Sequence, residues 1–287
     1  MKKLVLAITT LAFCSLCWGQ APSAGNATST RESVMAFAQK NAAQAAPHSP
    51  LATSACSFTF TFGANDSLLK YCVTANGNIT QLETPQGHEH IAVGAAGEGY
   101  GICDLIPFVT YSDYGDFGDS GNWNPSSVIS QSAKSVKIAR TTSDGIWTLT
   151  QTISQVAGIS PSIKIVMTLK NNSDQLRSVF LVRYADVDAD RAVQNNFDGT
   201  AKSAFGWNSN ASSKPFGLIL QNAGPFPFAT EPAGFTQTVP NGPDPCRFVD
   251  HFANGTQTGI DGSVVLLYPL NFSKGASKTV TVSYKGL

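Results

Sequence analysis

The sequence predicts an all-β protein: a large antiparallel two-sheet β-sandwich behind a short N-terminal spacer that is helical or disordered. Three observations predict it. Apolar and polar residues alternate with a period of two through much of residues 54–287, the period at which strand side chains point to opposite faces. The alternating runs are short and are separated by turn residues such as Asp144-Gly145, Asn171-Asn172-Ser173-Asp174 and Lys274-Gly275, which is the signature of hairpins rather than helices. Charged residues make up only 13% of the chain, about half the usual share, so its surface polarity comes from Ser, Thr, Asn, Gln and Gly, a composition common in exported β proteins.

The elements follow in order. Lys2 and Lys3 precede an apolar run from Leu4 to Leu16, and Cys17-Trp18-Gly19 leads into Gln20. This reads as a secretory signal peptide over residues 1–19, cleaved near Gly19/Gln20, too short for a spanning helix. The mature protein is then expected outside the cytoplasm, in the periplasm or the medium, with roughly 268 residues and no membrane span. Residues 20–53 form an Ala/Ser/Pro-rich spacer. Within it Ser29-Thr30-Arg31-Glu32 has capping-box spacing, and Val34, Phe37 and Ala38 place one apolar face on a short helix ending before Pro47.

Residues 54–287 are expected to make one sandwich domain. Phe58, Phe60 and Phe62 alternate with Ser57, Thr59 and Thr61 as its first strand. Residues 138–142 and 146–153 form a hairpin about Asp144-Gly145. Ile163, Ile165, Met167 and Leu169 mark one buried face of the next strand, and Val179–Tyr184 continue the sheet. Residues 263–268 and 278–284 close the chain. About a dozen strand candidates are too many for a minimal immunoglobulin-type sandwich, and no repeat of 20–50 residues suggests a solenoid.

Nineteen basic and 19 acidic residues balance to a net charge of zero, so nothing marks a nucleic acid or an anionic membrane as partner. Removing the signal leaves Cys56, Cys72, Cys103 and Cys246, an even number with no Cys-x-x-Cys pair, which points to two disulfides rather than zinc. Three connectivities are possible. Cys56–Cys72 is favoured because two short strands flank the Gly63–Ser67 turn between them, and Cys103–Cys246 follows by elimination.

Four segments carry a wider resemblance: Val73-Thr-Ala-Asn-Gly-Asn-Ile79, Glu98-Gly-Tyr-Gly-Ile-Cys-Asp104, Arg183-Tyr-Ala-Asp-Val-Asp-Ala-Asp190 and Ser277-Lys-Thr-Val-Thr-Val282. With them the mature body resembles a group of secreted bacterial β proteins to which no activity is attached. Its layout is similar to the large sandwiches of carbohydrate-active proteins, the mutarotase-like fold. That similarity implies a fold and transfers no function.

Four constellations are candidates for chemistry. Gly99–Trp123 interleaves Tyr100, Tyr111, Tyr114, Phe117 and Trp123 with Asp and Gly. Aromatic faces stack on sugar rings, and short carboxylates bind hydroxyls or a cation. Tyr100, Tyr114, Asp116, Asp119 and Trp123 are therefore the expected ligand site, against the plain alternative of a surface loop docked on the core. Within it, Asp113, Asp116 and Asp119 repeat at a spacing that can wrap Ca²⁺. Asp186, Asp188 and Asp190 lie at strand period, which puts three carboxylates on one face. Like charges there call for Ca²⁺, with Asn195, Asn196 and Asp198 completing an oxygen cage, or for Arg183 and Arg191 as partners. His88-Glu89-His90 aims two rings one way and would need His251 and an acid to hold a metal. Glu89 and Glu98 are the pair that glycoside chemistry would use, but no nucleophile elbow or other catalytic motif accompanies them.

These readings favour a secreted, disulfide-bonded sandwich that binds a glycan or cell-surface polymer without catalysis, with Ca²⁺ as its one expected cofactor. The alternatives are a carbohydrate-active hydrolase, lyase or epimerase on the same fold, and a structural envelope or matrix protein.

Overall fold

The computed structural model describes residues 56–93, 95–158, 160–200, 202–208, 215–225, 242–248 and 255–287, and the backbone of 234–237. The signal peptide, the spacer and His251 lie outside the described residues. No described helix is long and apolar enough to cross a membrane.

Seventeen strands are described. β1 (Cys56–Phe62), β2 (Leu69–Thr74) and β3 (Ile79–Glu83) make a three-stranded sheet. β4 (Glu98–Asp104), β5 (Val109–Asp113), β10 (Arg177–Val187), β14 (Gly234–Gln237) and β16 (Gly262–Phe272) make a five-stranded sheet in the order β14-β16-β10-β4-β5. The largest sheet runs β15-β11-β12-β13-β17-β9-β8-β7-β6. Its strands are β6 (Ser127–Gln131), β7 (Ser135–Thr141), β8 (Trp147–Val156), β9 (Ser162–Asn171), β11 (Asn195–Thr200), β12 (Ser203–Trp207), β13 (Gly217–Asn222), β15 (Gln257–Ile260) and β17 (Ser277–Gly286). Every pairing is antiparallel. The sheets stay open, and the whole is the β-sandwich that the alternation predicts.

The alternation explains the packing. Leu149 faces Leu169 and Ile153 faces Ile165 across β8 and β9, and all four are buried. Each such side chain contributes about 1.5–3 kcal/mol when removed from water. Thr148, Thr150 and Thr152 point to the other face and are partly exposed. Trp147 packs edge-on against Phe272 of the five-stranded sheet, which joins the two layers. At the Asp144-Gly145 turn, Asp144 Oδ1 accepts hydrogen bonds from the Thr142 hydroxyl at 2.6 Å and the Ile146 amide at 3.0 Å. Gly145 has φ +75°, a conformation that glycine adopts without strain.

Strand β10 runs beyond the alternating segment that marks it in sequence, to Val187. It is flanked by β4 and β16 on its two edges and is buried on both faces from Val179 onward, so its pattern is nearly continuous rather than alternating. Both expected disulfides are present. Cys56–Cys72 joins β1 to β2, and Cys103–Cys246 ties β4 to the segment before Phe248.

Candidate functional site

The expected ligand site at Tyr100–Trp123 is packed into the body of the protein. The stretch is not a loop; it supplies β4, β5 and a short 3-10 turn at Gly115–Phe117. Tyr100 and Tyr114 are fully buried and Trp123 is 8% exposed. Trp123 meets Tyr100 and Tyr111 edge-on, so these rings are spent on one another and present no free face for stacking. The carboxylates beside them are also engaged. Asp113 bonds Arg140 at 2.6 Å, and Asp119 is paired with the same guanidinium, whose Cζ lies 5.4 Å from the Trp123 ring. Asp116 Oδ2 accepts the Ala96 amide at 2.9 Å. One arginine thus answers the Asp-x-x-Asp repeat that otherwise suggests a cation.

Glu98 and Glu89, the expected carboxyl pair, are structural anchors here. Glu98 is fully buried and ion-paired with Arg183, itself fully buried. Its other contacts are the Tyr284 hydroxyl at 2.8 Å and the Ile79 amide at 2.5 Å. Burial pushes the Glu98 carboxyl up, and Arg183, Ile79 and Tyr284 pull against it. Arg183 also donates to Gln151 Oε1 at 2.7 Å. The network therefore bolts β3, β4, β8, β10 and β17 together across the sandwich. Glu89 Oε1 takes the amides of Leu82, Ile91 and Ala92 at 2.7, 3.0 and 3.0 Å, leaving a loop held by one carboxylate.

The structure brings together two motifs that lie 102 residues apart in sequence. His88 Nδ1 is 2.7 Å from Asp190 Oδ1, and both side chains are 27% exposed. A carboxylate can only accept, so Nδ1 carries the hydrogen of this contact. The His88 ring stacks on Phe216, with centroids 3.5 Å apart and planes at 20°. Backbone contacts lace the same corner. The Asp188 amide donates to the His90 carbonyl at 3.0 Å, and the Arg191 amide to the Glu89 carbonyl at 3.0 Å. His90 is buried, donates from Nε2 to the Thr84 carbonyl at 2.7 Å and accepts the Asp190 amide on Nδ1 at 3.2 Å. Burial lowers its pKa, which agrees with a neutral ring. Both its nitrogens are used, so the His-x-His pair is not two free metal ligands.

The turn that carries Asp190 is strained. Asp190 has φ 55° and Arg191 φ 63°, two successive non-glycine residues in the left-handed region, at a cost of about 1–3 kcal/mol each. Next to it, burial and the neighbouring charges of Asp186 and Asp261 raise the Asp188 carboxyl from 3.8 to about 8, so at neutral pH it holds its proton. The three aspartates of the strand-period motif do not act as a unit. Asp190 leaves the strand and turns to His88, and among the described residues no three His, Cys, Asp or Glu side chains are grouped to hold a metal ion. Asp190, expected on one face with Asp186 and Asp188, instead contacts His88. Phe216 and Arg140 gave no signal in sequence. Phe216 follows Pro215 after a polar run, and Arg140 sits at an inward position of β7 where an apolar residue is the rule.

The sequence matches no family model and no curated protein. Its fold is similar to solved structures at very low identity. A bacterial glucoamylase complexed with acarbose matches with TM-score 0.50 and 11% identity over 84% of this chain. The chain spans about a third of that protein's length, 33%. A GalM/aldose epimerase homologue from C. elegans matches with TM-score 0.48 and 9% identity, over 80% of this chain and 99% of that one. A heparan sulfate lyase HepC mutant from Pedobacter heparinus matches with TM-score 0.43 and 12% identity, over 92% and 41%. What the chain shares with the first of these is the large sandwich fold.

Proposed function

We propose that the protein is an exported carbohydrate-binding protein that holds a sugar at the corner formed by His88, Asp190 and Phe216. The observation that carries this reading is the 2.7 Å His88–Asp190 pair, partly exposed to solvent, stacked on an aromatic ring and seated on strained backbone. Strain of this kind persists where surrounding structure enforces it, and it concentrates at functional sites. The corner offers a sugar what it needs: carboxylate and imidazole acceptors for hydroxyls, and an aromatic edge for the ring. The resemblance to a glucoamylase seen with acarbose agrees with a carbohydrate ligand, although fold alone transfers no function. Lys2 to Gly19 supports export, and two disulfides fit an oxidising compartment.

One observation favours a second reading on the same site. Asp188 holds a proton at neutral pH, because burial and the charges of Asp186 and Asp261 raise its carboxyl to about 8. A carboxyl group kept neutral at working pH can serve as a general acid. The protein would then act on its sugar as a carbohydrate-active enzyme. The test is saturation-transfer NMR with a panel of mono- and oligosaccharides, run beside exchange spectroscopy for anomer interconversion and chromatography for cleavage. Binding without product supports the first reading, and product supports the second. Silence in every channel favours a structural envelope or matrix role.

A further inference from the structure

We propose that Phe205 and Trp207 form a second carbohydrate site, a two-ring platform on the outer face of the nine-stranded sheet that takes a neutral oligosaccharide. The two rings alternate along β12 with Ala204 and Gly206, which are buried. A side chain added at Gly206 would strike Phe197 and Val187, so that face is the core and Phe205 and Trp207 point away from it. Both remain partly exposed. Their centroids are 5.7 Å apart and their planes 31° apart, a spacing on the scale of one sugar ring.

The surroundings separate this pair from ordinary strand residues. Elsewhere the outward positions are mostly polar: Thr148, Thr150 and Thr152 on β8, Lys164, Thr168 and Lys170 on β9, and Thr279 and Thr281 on β17, with Val166 and Ile219 among them. Two large aromatics side by side and partly exposed on an outer sheet face form an apolar patch of the kind that marks an interaction site. Across the ladder, Phe205 lies between Asp198 and Ile219, and Ile219 lies beside Lys285; Trp207 lies between Asn196 and Gly217. Asn196 and Asp198 thus edge the rings on one side, and Lys285 lies beyond Ile219 on the other. One acid and one base leave the rim neutral, which suits an uncharged glycan better than a uronic or sulfated one. The electron-rich face of an aromatic ring receives the C–H face of a pyranose, and two rings along one strand offer consecutive stacking faces to a chain of sugars.

This site stands on observations separate from those at His88. It also makes Trp207 a reporter, because Trp123 and Trp147 are buried. Affinity electrophoresis of the exported full-length protein through gels containing laminarin, hydroxyethylcellulose or xylan tests it, together with Trp emission on titration with laminarihexaose and cellohexaose. The wild type should be retarded by at least one polymer, and its emission should shift with the matching oligosaccharide. Trp207→Thr and Phe205→Thr keep a strand-forming residue of the type that fills the rest of the face. Each should weaken binding tenfold or more at an unchanged melting temperature, while Thr150→Ser, on the outward face of β8, should leave it intact. Should one Thr variant not fold, the other and the wild-type emission titration still decide. No retardation and no emission change in the wild type, or equal retardation of a folded Thr variant, overturns the proposal. Loss in His88→Ala alone would assign the binding to the corner instead.

Discussion

Two acid–base assemblies in this sandwich use the same side chains and come to opposite ends. Arg183, Glu98 and Tyr284 lie between the sheets with no exposure at all, and Arg140 holds Asp113 and Asp119 in a second sealed cluster. His88 and Asp190 make a hydrogen-bonding contact at the rim, 27% exposed, on a strained turn. The sealed assemblies are buried and have their carboxylate oxygens engaged, so their chemistry is spent on holding sheets in register. The open one keeps part of both side chains toward solvent. Burial, not residue type, decides which assembly is structural and which can act.

The largest effects should come from breaking the sealed side. Arg183→Leu would leave Glu98 buried without its counter-charge and should cost about 3–5 kcal/mol, read as a drop in the urea midpoint. Adding Glu98→Gln should restore part of the loss. A cost below about 1 kcal/mol would mean the pair is no more structural than a surface contact. Trp123→Ala should also cost about 3–5 kcal/mol and leave sugar affinity unchanged, because the ring packs on Tyr100 and Tyr111 rather than on a ligand. Replacing Cys103 and Cys246 together by Ser should cost about 2–5 kcal/mol, since that bridge spans 143 residues.

A smaller, pH-dependent effect sharpens the open side. The Asp188 carboxyl sits at about 8 in the folded protein against 3.8 in its ordinary state. Between those values the folded protein keeps a proton that the unfolded chain releases, so stability falls as pH rises through this window. Asp188→Asn removes that slope. Its melting temperature should change less between about pH 5 and about pH 8 than the wild type's, by several degrees at about 2–4 °C per kcal/mol. Parallel curves would show that Asp188 ionises normally. The smallest effect on stability should come from His88→Ala, within about 1 kcal/mol.

The fold was largely legible because its signals are local. Leu149, Ile153, Ile165 and Leu169 announce their face by alternation alone, Asp144-Gly145 announces its turn, and the Cys56–Cys72 pairing follows from the short hairpin between them. The site was legible only in pieces. His88-Glu89-His90 and Asp186-Val-Asp188-Ala-Asp190 each stand out, but their meeting depends on a contact across 102 residues that no local pattern encodes. Tyr100, Tyr114 and Trp123 misled for the converse reason. Interleaved with Asp and Gly they read as a loop, and only Arg140, from a different strand, accounts for how so many carboxylates can lie in the core. Trp207 sits on the outward face because Ala204 and Gly206 occupy the inward positions.

The most direct measurement is an amide chemical-shift map of the labelled protein titrated with the best monosaccharide from the panel, in the wild type and in His88→Ala. The perturbations should cluster at residues 88–90, 186–191 and 216, and should disappear in the variant while its fold is kept. Perturbations centred on Tyr100–Trp123, or an unchanged map in His88→Ala, would contradict the assignment of the open corner as the sugar site.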